Sequence, residues 1–347
     1  MALQTPTSKN NPGIIVNLGT TDNVRVNAGV ALESTAQSCI VGSGSNHVVT
    51  VLGTGSVSGT QYGILLGGPG QSNETVTIRA NASVDGELGG VRILASESKV
   101  DNGGSINSAN GFGVYFAGNS SGESLLNNLA AGTIQASTDG VWVKGAEDFN
   151  LTNAGAITAA NAFNSTGRSD DTIVNTGALN GDVRLGRGDD VYNGQIGTVT
   201  GTVFGGRGDD RITCGNGNET IDAGAGDDRV RGNQGADTLR GGEDADSFIF
   251  ATVNDSAVGT SDTISDFKSA DDDIVRLRQI DADTVTAGNQ AFTFVGAAAF
   301  TGKAGELRAD TLGGATVVQG DVNGDGNADF EILFTGVAGM AADDFVL

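Results

Sequence analysis

The chain is short of aromatic, cationic and sulfur-bearing residues and of proline, and each scarcity excludes something. Aromatics make up 5% of 347 residues and there are only 3 prolines, which is unusual for a globular enzyme. The 2 cysteines, Cys39 and Cys214, lie so far apart that coils stacked at about 4.8 Å would hold them roughly 30 Å apart, too far for a disulfide. The single histidine, His47, rules out a zinc peptidase of the H-E-x-x-H type, which needs two on one helix face. It lies in a polar SGSNHVV segment and is expected on an exposed loop. Lys and Arg number 19 against 42 Asp and Glu, a net charge of −23. That balance argues against nucleic acid and anionic membranes as partners. No apolar run approaches the length of a membrane helix. The opening MALQTPTSKNNPG has neither the basic start nor the apolar core of a secretory leader, so export, if it occurs, is expected to use a signal at the other end.

What is abundant is glycine, 56 residues, as suits a β-solenoid whose turns need Gly and whose strands need small or β-branched residues. The acids are unevenly placed. Residues 1–165 carry 6 bases and 11 acids, whereas 166–347 carry 13 bases and 31 acids. The acidic half holds five back-to-back nonapeptides between Gly205 and Ile249: GGRGDDRIT, CGNGNETID, AGAGDDRVR, GNQGADTLR and GGEDADSFI. Glycines let each turn adopt positive φ and converge its carbonyls. The sixth place supplies a carboxylate, and the apolar eighth place faces the core. Such oxygens suit calcium rather than zinc. The candidate ligands are Gly206, Gly208 and Asp210, then Gly215, Gly217 and Glu219, then Gly224, Gly226 and Asp228. Gly235 and Asp237, and Gly242 and Asp246, complete the repeats. Degenerate turns at 166 and 185 add Gly167, Asp171, Gly186, Gly188 and Asp190. The pattern is similar to the calcium-binding repeat of RTX proteins, which implies a parallel β-roll. A coil takes two nonapeptides, so calcium is expected along one edge for about five turns and along the other for about two.

Upstream runs a looser repeat, a small-residue turn followed by an aliphatic residue: Val30, Val57, Val84, Ile106, Ile134, Ile157, Leu179 and Val199, at steps of 20 to 28 residues. This interval marks a solenoid with variable loops. The competing β-sandwich has no reason to repeat its turn so. Second strands follow at 63–66, 91–94, 113–116 and 141–143, and 24–26 and 76–78 alternate inward and outward. The predicted plan is an all-β chain. A polar segment occupies 1–13, a parallel, right-handed β-helix 14–165, a calcium β-roll 166–249, and a β-rich cap 250–347.

From about Gly241 onward the sequence resembles the C-terminal domain of the serralysin family of secreted metalloproteases. The resemblance is carried by GGEDADSFIF, DTISDFKSADDDIVRL, QAFTFVGAAAFTGKAGELR, VVQGDVNGDGNADFEILFTG and the terminal DDFVL. It implies a domain that caps the roll and a type I secretion signal at Asp344-Phe345-Val346-Leu347, and hence the type I machinery as a partner during export. The resemblance does not extend to the protease. Within this stretch Asp321, Asn323, Asp325 and Asp329 fit the start of a calcium loop, with Gly326 at the sharp turn. An EF-hand would place Glu where this chain has Ile332.

Three function classes follow. A calcium-rigidified surface protein, adhesive or self-assembling into filaments or sheets, needs no catalytic group. A polysaccharide lyase or epimerase needs a base beside a sugar carboxylate, yet no Tyr-Asp-His cluster is present. Asp85, Glu87 and Asp101 are the available carboxylates, and solvated positions are the plainer reading. A monomeric glycan-binding module is the third class. The expectation is an extracellular, non-enzymatic protein with several bound calcium ions.

Overall fold

The computed structural model describes residues 2–20, 22–119, 122–312 and 314–347. They form two compact units, Met1–Gly201 and Thr202–Leu347. Both are built from parallel strands wound as a β-solenoid, as the repeats imply.

In the unit Met1–Gly201 a full coil has three short strands. Val48–Val51, Ser56–Gly59 and Tyr62–Leu66 make one coil, and Thr75–Ile78, Ser83–Gly86 and Gly89–Ile93 the next. The aliphatic markers stack in register: Val57 on Val84, Val84 on Ile106, Ile106 on Ile134, Ile134 on Ile157 and Ile157 on Leu179. The first marker needs correcting. Leu32, not Val30, is the partner of Val57. Val30 lies in the preceding turn, and the strand begins at Ala31. Leu3–Gln4 and Lys9–Asn11, in the polar opening segment, already pair in parallel with Asn23–Val26 and Ala31–Ser34. From Ala156–Ser165 onward two of the three strands fuse into one of 10 residues, so the coil shortens.

Alternation turns every second side chain inward, and the inward columns are sealed: Val57, Ile64, Val84, Val91, Ile106 and Val141 are each 0% exposed. Each such side chain contributes about 1.5–3 kcal/mol relative to exposure. Phe116, Phe149 and Phe163 stack down the interior at centroid separations of 4.9 and 5.9 Å. Where strands end at a tight turn, a buried asparagine ladder replaces the apolar column. Asn102 Nδ2 donates to Asn128 Oδ1 (2.8 Å), Asn128 to Asn153 (2.7 Å) and Asn153 to Asn175 (2.8 Å). Each Nδ2 also reaches a backbone carbonyl, of Thr133, Ala156 and Ala178 respectively. The ladder therefore meets the requirement that buried amides be paired.

In the unit Thr202–Leu347 a coil has two strands. Thr202–Arg207 stacks on Thr220–Ala225 and that on Thr238–Glu243, while Arg211–Thr213 stacks on Arg229–Arg231 and that on Ser247–Ile249. Asp262–Ile264 and Ile274–Arg276 extend the two stacks. The C-terminal region then folds back as an antiparallel meander of Glu306–Leu312, Ala315–Asp321 and Phe330–Thr335. Phe330–Thr335 closes on Asp262–Ile264, and Phe345–Val346 closes on Ile274–Arg276. This is the β-rich cap. Both cysteines are free and buried, so neither is placed to link subunits.

Candidate metal centre

The sixth-place acids form columns because a coil of 18 residues returns each turn to the same place. In the unit Thr202–Leu347 one column runs Asp210, Asp228, Asp246, Asp273 and the other Glu219, Asp237, Asp262. The backbone N–H of each acid donates to the carboxylate one coil on. Asp210 donates to Asp228 Oδ1 at 2.7 Å, Asp228 to Asp246 at 3.1 Å and Asp246 to Asp273 at 2.9 Å. On the other side Glu219 donates to Asp237 at 2.7 Å and Asp237 to Asp262 at 2.9 Å. In the unit Met1–Gly201 Asp171 N–H donates to Asp190 Oδ1 at 2.6 Å. The fifth-place side chains work in the opposite direction: Asp227 N–H donates to Asp209 Oδ1 (2.9 Å) and Ala236 N–H to Asn218 Oδ1 (3.0 Å).

One carboxylate oxygen is thereby used and the other is left over. Oδ2 of Asp171, Asp228, Asp237, Asp246 and Asp262, and Oε2 of Glu219, are buried without a hydrogen-bond partner. Burial is the main cause that pushes these carboxyls up, to about 7 for Asp171, Asp228 and Asp237, about 8 for Asp246 and about 9 for Asp262. Neighbouring carboxylates add to it. Glu219 and Asp273 are raised for the same first reason. Native proteins rarely keep a polar group buried and unpaired, and here the condition recurs at Asp171 and at successive turns of the unit Thr202–Leu347.

The turns carry the matching backbone. A Cβ on Gly226 would run into the carbonyl of Gly208 one coil before, and φ of +125° there already favours glycine. A Cβ on Gly241 would collide with Oδ2 of Asp246 itself. The glycines thus leave room between turn backbone and carboxylate. Gly186, Gly188, Gly206, Gly208, Gly224, Gly235 and Gly242 share the positive φ, while Gly167, Gly215 and Gly217 do not. Among the described residues no three His, Cys, Asp or Glu side chains cluster. A cation here would take single carboxylates plus backbone carbonyls, a hard-oxygen set that fits calcium and not zinc.

Two members of the columns escape the nonapeptide count, Asp262 and Asp273. Their signal is the triplet acid–x–apolar, Asp262-Thr-Ile264 and Asp273-Ile-Val275, the same as Asp228-Arg-Val230. Within the unit Met1–Gly201 a row of residues at the starts of successive strands is bonded coil to coil with other chemistry. His47, Glu74 and Ser98 each precede a strand as Asp171 does, while Ser124 and Phe149 are the second residues of theirs. His47 N–H donates to Glu74 Oε2 (3.1 Å), Glu74 N–H to Ser98 Oγ (3.1 Å), Ser98 N–H to Ser124 Oγ (3.0 Å) and Phe149 N–H to Asp171 Oδ1 (3.1 Å).

His47 is therefore not on an exposed loop, as its polar surroundings suggested, but 0% exposed. Its Nδ1 lies 2.9 Å from Glu74 Oε2 and its Nε2 2.7 Å from the carbonyl of Gly19. A carbonyl only accepts, so Nε2 carries a hydrogen and Nδ1 faces the Glu74 carboxyl. Burial raises the Glu74 carboxyl and the imidazole opposes it. A side chain, the imidazole, thus faces the buried carboxyl at this corner.

The Asp321–Asp329 loop is organised differently. Asp321 is buried and accepts from the N–H of Gly324 (2.7 Å) and Gly326 (2.9 Å). Asp329 accepts from Val322 N–H (2.7 Å), Asn323 Oδ1 from Asp325 N–H (2.8 Å), and Asp325 from Asn327 N–H (2.8 Å).

Residues 14–347 match the family model described as Peptidase M10 serralysin C terminal. The chain belongs to that family. The serralysin C-terminal match reaches much further upstream than the stretches after Gly241, taking in the three-strand coils as well. No curated protein matches the sequence. Among solved structures, the AlgE6R3 subunit of the Azotobacter vinelandii mannuronan C5-epimerase is 22% identical, covering 51% of this chain and 77% of that one, with a TM-score of 0.24. That score is too low to bear on this serralysin C-terminal chain.

Proposed function

We propose that this chain is an exported calcium-binding module with a structural, non-catalytic role at the cell surface. The observation that carries the reading is the repeated buried carboxylate with one unpartnered oxygen, at Asp171, Glu219, Asp228, Asp237, Asp246 and Asp262. Calcium would supply the counter-charge and accept turn carbonyls together with these carboxylates. The residues that would hold it are the sixth-place acids and the turn glycines. Without it, like charges one coil apart repel.

Export fits the same physics. Where calcium is scarce the acidic turns stay open, and where it is plentiful they close, so folding is coupled to leaving the cell. Asp344-Phe345-Val346-Leu347 is proposed as the type I signal. Phe345 and Val346 pair with Val275 and Arg276 in the folded chain, so the export machinery would read the tail before folding hides it. The finer role, adhesin or subunit of a surface filament or sheet, belongs to this reading.

The test combines calorimetric titration of chelated protein with calcium and electron microscopy of the product. Saturable calcium uptake accompanied by ordered assemblies supports the proposal. Absence of uptake at millimolar calcium overturns it, and turnover of a polysaccharide substrate overturns its non-catalytic part.

A further inference from the structure

The outer face of the coils from Tyr62 to Trp142 is aromatic, although the chain holds only 1 tryptophan and 3 tyrosines. Inward positions there are filled by Ile64, Val91, Val114 and Val141, all 0% exposed. Alternation puts Leu65, Arg92, Tyr115 and Trp142 on the outer side, and strand register lines them up one per coil. Phe112 completes the group. Its ring lies over Gly89, whose missing Cβ makes the space, and it packs against Tyr62 at 5.8 Å, Tyr115 at 5.2 Å and Trp142 at 6.0 Å. The Arg92 guanidinium stands over the rings of Tyr62 and Tyr115 at 5.1 and 5.5 Å, and its Nη1 donates to Tyr62 Oη at 3.2 Å. Tyr62 and Trp142 remain half-exposed at the rim. Phe112 and Tyr115 are themselves buried, at 9% and 7% exposure, so the cluster packs on itself outside the core and presents Tyr62 and Trp142 to solvent.

Two residues before Tyr62, Thr60 helps line a concave bend with a cavity of about 370 Å³, lined also by Glu33, Ser58, Asp85, Glu87 and Asn107 and by no aromatic residue. Its lining carries three carboxylates and no cation. The polar side chains are held in place by bonds between coils: Asn107 Nδ2 donates to Asp85 Oδ1 at 2.7 Å, Asn110 to Glu87 Oε1 at 3.1 Å and Asn10 to Glu33 Oε2 at 2.6 Å. Further along the same face Asn161 and Asn164 both donate to Asp139 at 2.8 Å. Thr60 Oγ1, in the lining, and the indole Nε1 of Trp142 are buried atoms without a hydrogen-bond partner in the protein.

We propose that this face binds a linear, uncharged polysaccharide lying along the solenoid axis. Ring edges and faces flanked by fixed amide and carboxylate acceptors fit sugar rings, which are apolar on one side and hydroxylated at the edge. Outward side chains follow one another at strand spacing of about 4.8 Å over several coils, so the face suits a polymer rather than a single small molecule. Charge selects the class of polymer. The carboxylates of Glu33, Asp85 and Glu87 repel a polyuronate, whereas neutral hydroxyls are good donors to them. All of these residues lie in the unit Met1–Gly201, and the inference does not depend on calcium binding.

Trp142, the sole tryptophan, reports occupancy of its own site. The experiment titrates the full chain with neutral hexasaccharides of β-linked glucose, mannose and N-acetylglucosamine, and with a mannuronate hexamer, following tryptophan emission. Expected is a saturable change with at least one neutral hexamer and none with the mannuronate. Tyr62→Ala should weaken binding about tenfold. Glu87→Arg, at an exposed position that does not threaten folding, should weaken it by a similar factor, with circular dichroism unchanged in both. No response to any neutral hexamer, a response to mannuronate alone, or unchanged affinity in both variants overturns the proposal.

Discussion

The N–H of Asp228 donates to Oδ1 of Asp246 at 3.1 Å, one coil away, while Oδ2 of Asp246 is buried with nothing to bond. The first oxygen sets the spacing between coils. The second has no partner in the protein, and with the carboxyl raised to about 8 it holds a proton at neutral pH unless a cation takes that place. Structure and cation demand come from one residue, so its replacement has separable effects.

Asp228→Asn with Asp246→Asn keeps an acceptor for the ladder but removes both charges. Calcium affinity should fall by about 10- to 100-fold, the scale of losing key groups at a metal site. Asp22→Asn with Asp85→Asn, outside the columns, should leave it unchanged. Calorimetry of the two double variants makes the comparison, and equal losses would contradict the assignment.

Metal-free stability and calcium affinity should depend on pH in opposite senses. The carboxyls of Asp228, Asp246 and Asp262 are raised in the fold to about 7, about 8 and about 9, above about 3.9 in the unfolded chain. The folded state then holds more protons, so the metal-free fold is stabilised below about pH 4 and loses that contribution as pH rises through 7 to 9. Calcium competes with those protons, so its affinity should rise over the same interval. Melting in chelator from pH 5 to 9 checks the first sign, and calcium titration at the same pH values checks the second.

His47→Ala removes the imidazole that faces Glu74 and leaves its buried carboxyl group without that partner. Breaking such a pair costs about 3–5 kcal/mol. Adding Glu74→Gln should recover part of the loss because no carboxyl is then stranded. Chemical denaturation of the single and double variants measures it.

Asn128→Ala interrupts the asparagine ladder and orphans the amide of Asn102 and the carbonyl oxygen of Asn153. Destabilisation of about 1–3 kcal/mol is expected. Asn127→Ala, next to it on a half-buried position, should cost much less, and equal costs by denaturant titration would rule out the ladder's role.

Much of the solenoid was legible because a coil repeats its inward residue. Val57, Val84, Ile106, Ile134, Ile157 and Leu179 mark the coils in sequence and stack in space. Val30 misled because its turn resembles the others while its strand starts one residue later and buries Leu32. The nonapeptide columns were legible for the same reason, but Asp262 and Asp273 were not, since the 250–261 insertion breaks the nine-residue count. His47 and Glu74 hid because their turn has no glycine pattern, only the strand that follows. The aromatic face was invisible in sequence. Tyr62, Arg92, Tyr115 and Trp142 lie 23 to 30 residues apart and meet only once the register is fixed.

The most direct measurement is hydrogen–deuterium exchange resolved along the chain, with calcium and after chelation. If calcium staples the roll, amides of Asp210, Asp228, Asp237 and Asp246, and of the strands that follow them, are protected with calcium and exchange rapidly without it. The amides of Val76, Val100 and Leu126, in coils closed by His47, Glu74 and serines, should keep their protection. Undiminished protection across 205–249 in chelator would contradict calcium as what holds this part of the protein together.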